Sequence, residues 1–102
     1  MKYIRIPEDV DADGVTVTFV EFVQQVINEK PFGEGRRALR AADRIEELAT
    51  GRRAGDVLGL EDADHELLAR VVDTMSYLPR MARRLRTFQD AICDHALSKM
   101  PE

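Results

Sequence analysis

The chain has 102 residues, 44% hydrophobic and 33% charged, the size of one domain with a small core. Its net charge of −4 and pI near 5.2 argue against a general nucleic-acid binder. No apolar run approaches the roughly 18 residues of a membrane span, the start Met1-Lys2-Tyr3-Ile4-Arg5-Ile6-Pro7 lacks the apolar stretch of a signal peptide, and the single Cys93 excludes an intrachain disulfide. A cytoplasmic location is expected.

Lys2 to Ile6 alternates, with Ile4 and Ile6 on one face and Tyr3 and Arg5 on the other, which predicts a short strand ended by Pro7. Glu8 to Gly14 reads as an acidic turn, with Asp13-Gly14 as a reversal signal. Val15-Thr16-Val17-Thr18 reads as a second strand, expected to pair antiparallel with the first. Thr18 followed by Glu21 makes a capping box. Phe19, Phe22, Val23, Val26 and Ile27 then predict an amphipathic helix from about Phe19 to Glu29, closed by Pro31. In the loop that follows, Phe32 between Pro31 and Gly33 either plugs the core or projects toward a partner.

Arg36 to Thr50 reads as a second helix, with Leu39, Ala42, Ile45 and Leu48 inward and Gly51 as its stop. Arg36, Arg40 and Arg44 recur at i, i+4 and i+8, the pattern of a surface or interface stripe. Val57-Leu58-Gly59-Leu60 is a possible third strand. Asp62 is the expected cap of a third helix, with Asp64 and Glu66 placed where the helix dipole favours acids. Leu67, Leu68, Val71, Val72 and Met75 face inward on it.

A fourth helix opens at Pro79, since proline is favoured at the first helical position. Leu85, Phe88, Ile92 and Ala96 continue its apolar face, with Met81 one turn earlier, and no Gly or Pro interrupts it before Met100. Arg80, Arg83, Arg84 and Arg86 crowd its first turns, against the dipole. Either carboxylates or solvent offset these cations, or they bind an anionic ligand such as a nucleotide. Twelve of the fifteen basic residues are arginine, and eight of these lie in the two blocks 36–44 and 80–86. Arginine suits bidentate pairing and interfaces better than lysine does.

Chemistry is sparsely signalled. His65 and His95 lack the partner spacing of a metal site. Cys93 has no base at a suitable helical offset and reads as a buried thiol. Gly33-Glu34-Gly35 lacks the lysine and the length of a phosphate-binding loop. No catalytic residues, cofactor or metal are therefore expected.

Val17 to Val23, Phe32-Gly33 and Asp56 to Asp64 resemble, in order and spacing, small uncharacterised accessory proteins of tailed bacteriophages, over roughly residues 15 to 75. The resemblance implies a viral protein acting in the host cytoplasm or packed into a virion, and it transfers no functional residues. The resulting expectation is a single α+β domain, with a two- or three-stranded antiparallel sheet and four helices. Its expected role is that of a non-enzymatic interaction protein, homo-oligomeric, which binds or inhibits a host or viral protein partner. Anti-defence sequestration of an anionic nucleotide through Arg80, Arg83, Arg84 and Arg86 is one alternative, and an assembly or virion role is another. Arg36, Arg40, Arg44 and Phe32 are the expected interface residues.

Overall fold

The computed structural model describes residues 1–12, 14–29, 33, 35–75 and 79–101, with the side chains at positions 12, 29 and 79–83 outside that description. In chain order its elements are β1 (Lys2–Arg5), β2 (Val10–Ala12), β3 (Val15–Val17), α1 (Phe19–Glu29), α2 (Gly35–Ala49), β4 (Val57–Leu60), α3 (Asp62–Thr74) and α4 (Pro79–Cys93). The class is α+β, with four helices and two small antiparallel sheets.

The strand pairing differs from the sequence expectation. β1 pairs with β4, Lys2 opposite Leu60 and Arg5 opposite Val57, rather than with residues 15–18. The acidic segment read as a turn contributes β2, which pairs with β3 in a sheet of its own. Ala12 opposes Val15, so the link is the two-residue Asp13-Gly14, with Gly14 at φ 78°. A two-residue link with Gly at positive φ makes a tight hairpin, and that local closure outcompetes the longer seven-residue connection to β1. Beyond β4, Ile6 and the 55–56 turn extend the β1–β4 ladder through Ile6 N–H to Asp56 O (2.8 Å) and Gly55 N–H to Ile6 O (2.9 Å).

α1 begins with the forward bond of the expected capping box, and Glu21 turns back to the Thr18 hydroxyl. Thr18 Oγ1 accepts from Glu21 N–H at 3.1 Å and also donates to Glu21 Oε1 at 3.1 Å. Phe19, Phe22, Val23 and Val26 are all buried, and Ile27 is partly so. α4 closes over this face. Phe88 meets Phe19 edge-on, with centroids 5.8 Å apart, and Phe22 at 5.5 Å. Ile4, Leu58 and Leu60 supply the sheet side of the same core, and Ile45, Leu68 and Val72 the α2 and α3 side.

α2 buries a different face from the one expected. Its buried residues are Ala38, Ala41, Ala42, Ile45 and Ala49, whereas Leu39 is 65% exposed and Leu48 41%. Residues at strict i+3 spacing precess about 60° per step around a helix, so Leu39 and Leu48 fall on opposite flanks of a face centred near Ile45. Alanines fill that face instead, and their small side chains let α2 lie close to the core.

The ends of α3 and α4 also depart from expectation. Glu61 is the N-cap of α3 and makes no side-chain cap bond, while Asp62 is the first helical residue. Asp62 pairs with the Met1 ammonium at 2.9 Å. That hydrogen bond and charge hold its carboxyl below the ordinary value. α4 is 15 residues long, as α2 is, and stops at Cys93 although the apolar recurrence continues to Ala96. Asp94 N–H and His95 N–H both donate to Asp90 O, at 2.8 and 3.0 Å. Leu97 then forms a reciprocal bridge with Tyr3, at 2.7 and 2.8 Å. The free edge of β1 thus draws the tail off the helix axis. His65 Nε2 lies 2.8 Å from Ile92 O, meeting one of the carbonyls a helix end leaves open.

Candidate functional site

Two helices bring arginines together. Helical spacing puts Arg37, Arg40 and Arg44 along one flank of α2, and Arg70 stands on α3 across from them. Between the helices lies a groove of about 560 Å³, with Gly33, Ala38, Ala41, Ala63 and Leu67 among its lining. Ala38 and Ala41 are small because α2 packs through alanines, and that smallness leaves the space open.

Arg44 is held within the chain. Its Nε donates to Asp64 Oδ2 at 2.9 Å and its Nη2 to Asp64 Oδ1 at 2.8 Å, a bidentate fork. Asp64 is 2% exposed and is the buried charged residue of the described chain. A buried carboxylate needs such a partner, because loss of hydration is otherwise uncompensated. The hydrogen bond and charge of Asp64 raise the Arg44 pKa in turn. Asp64, expected only to suit the helix dipole, thus clamps α3 to α2. Arg37, Arg40 and Arg70 have no ion-pair partner among the described residues.

The other expected residues are distributed as follows. Arg36 and Arg40 are exposed on α2. On α4, Arg84 and Arg86 are exposed, and Arg84 Nη1 donates to Asp11 O of β2 at 3.1 Å, which meets a backbone acceptor of the hairpin. Arg80 and Arg83 belong to α4, but their side chains lie outside the described residues, as does Phe32 altogether. The 36–44 and 80–86 blocks are therefore not joined into one site by any described contact. Arg37 reads from sequence only as a member of the 36–44 block, and Arg70 is not singled out there. Arg37 is off the i, i+4 stripe, and nothing local indicates that α3 packs beside α2.

A second depression, of about 760 Å³, lies between α3 and α4. Lys2, Asp62, His65, Glu66, Asp73 and Cys93 are among its lining residues. The Cys93 thiol is half-buried and its Sγ lies 3.6 Å from Ala69 O. Burial, and then Asp73, Asp94 and Asp90, push its pKa up to about 11, the opposite of an activated nucleophile. Among the described residues no group of three or more His, Cys, Asp or Glu is placed to hold a metal ion, and no helix is long and apolar enough to cross a membrane. Neither a protein-family model, nor a curated protein, nor a solved structure matches this chain.

Proposed function

We propose that this chain is a non-enzymatic interaction protein, homo-oligomeric, that contacts a protein partner through the outer face of α2, in the manner of a small phage accessory protein acting in the host cytoplasm. The observation that supports this most is Leu39, 65% exposed on a helix that also exposes Arg36 and Arg40. A solvent-facing leucine beside arginines has the composition of an interface, where apolar and Arg contacts are enriched and Lys is depleted. A chain of this size buries only about 60–70% of its extended surface, so a subunit contact adds usefully to its stability.

Sedimentation at micromolar concentration tests the assembly. The wild-type chain should exceed its 11.6 kDa monomer mass, and Leu39→Glu combined with Arg36→Glu should return it to that mass with an unchanged circular dichroism spectrum. A wild-type chain that stays monomeric at high concentration removes the homo-oligomer from this proposal.

A further inference from the structure

We propose that the groove between α2 and α3 binds a small molecule carrying a polyphosphate group, with Arg37, Arg40 and Arg70 as the anion ligands. These three cations come from two helices that the Arg44–Asp64 fork locks together, so they converge on one space and do not merely follow one helix surface. Among the described residues none of the three has a carboxylate within ion-pair distance, although the whole chain carries a net charge of −4. Among the described residues the acids lining the groove are Asp64, engaged by Arg44, and Glu66, which faces three guanidiniums. Like charges held together repel one another, and a multivalent anion relieves that repulsion. Guanidinium forks match phosphate oxygens two at a time, better than a lysine would.

Size and lining favour a small organic phosphate. The volume of about 560 Å³ lies within the range of ligand clefts. Ala38, Ala41 and Leu67 give an apolar floor beside the charged rim, on which a flat base or ring can rest while its phosphates reach the arginines. This ligand role needs no oligomer. It also differs from an anion site on α4, whose described arginines 84 and 86 do not line this groove.

Isothermal titration of the full-length chain with adenosine triphosphate, inorganic tripolyphosphate and adenosine tests it. Both phosphates should bind, more weakly as salt rises, and adenosine alone should not. Equal affinities would place recognition in the phosphates, and tighter binding of the nucleotide would add the apolar floor; either result supports the site. Arg37→Gln with Arg70→Gln should weaken triphosphate binding about tenfold or more. Arg84→Gln with Arg86→Gln, and the charge-neutral contact-face change Leu39→Gln, should leave it unchanged. Amide chemical shifts of the wild-type chain give a readout independent of mutant folding, with triphosphate moving residues 37–41 and 63–70. No binding of either phosphate overturns the groove site. So does binding abolished only by the α4 variant, or shifts confined to α4. A wild-type chain that binds triphosphate yet sediments as a monomer would count against the α2 contact face alone.

Discussion

At Cys93 the surroundings set reactivity more than the residue type does. The thiol lies against the Ala69 carbonyl, and burial with three nearby aspartates raises its pKa from 9.0 to about 11. Between those values the unfolded chain has lost the proton and the native chain keeps it. Stability therefore falls as pH rises from about 9 to about 11, and this group contributes no slope below that window. Two pKa steps also make the thiolate about a hundredfold scarcer at pH 8 than in a free thiol. Iodoacetamide should accordingly label native Cys93 about a hundredfold more slowly than it labels the denatured chain. Equal rates would show that the thiol is neither shielded nor raised. Asp64 likewise depends on its surroundings, since the Arg44 fork supplies both of its oxygens with the hydrogen bonds that burial takes from water.

At the scale of elements, the clearest test is the start of α1. Thr18 Oγ1 satisfies the Glu21 N–H, which the helix itself leaves open. Thr18→Ala should cost about 1 kcal/mol in a urea titration, and Thr18→Ser should cost little. An alanine variant as stable as wild type would mean that solvent serves that N–H equally well. α1 was legible in the sequence because cap and apolar stripe both act within a few residues, whereas the expected stop at Pro31 lies outside the described residues. β1 was legible as a strand but its partner was not, since β4 lies some fifty residues on and only the collapsed core brings Ile4 beside Leu58. α2 was legible as a helix, yet its inward face was misread because leucine size suggested burial where close alanine packing governs. The candidate groove was half legible. Arg40 and Arg44 showed themselves as a stripe, whereas Arg70 joins them only through the contact of α2 with α3.

Across the whole molecule, one apolar cluster touches β1, β4 and all four helices. Phe88 lies fully buried in it, between Phe19 and Phe22 of α1. Removing its ring leaves a void that these neighbours fill only in part, so Phe88→Ala should cost about 3–5 kcal/mol. Domains of this kind have about 5–15 kcal/mol in total. If the cluster is one cooperative unit, that loss reaches β1 and β4 as fully as α1 and α4, because none of them keeps a separate core. The β2–β3 hairpin behaves differently. Among the described residues it rests on the cluster only through the half-buried Val10 and Val17, while its two-stranded sheet is its own and Val15 and Thr16 are exposed, so its amides exchange through local opening that the substitution alters little. Amide hydrogen exchange on wild type and Phe88→Ala separates these outcomes. Protection at Ile4, Leu58, Val23, Leu68 and Ile92 should fall together by the same free energy, with the hairpin little changed. If the β1 and β4 amides kept their wild-type protection while α1 and α4 lost theirs, sheet and helices would be separate units, and the chain would not fold around a single core.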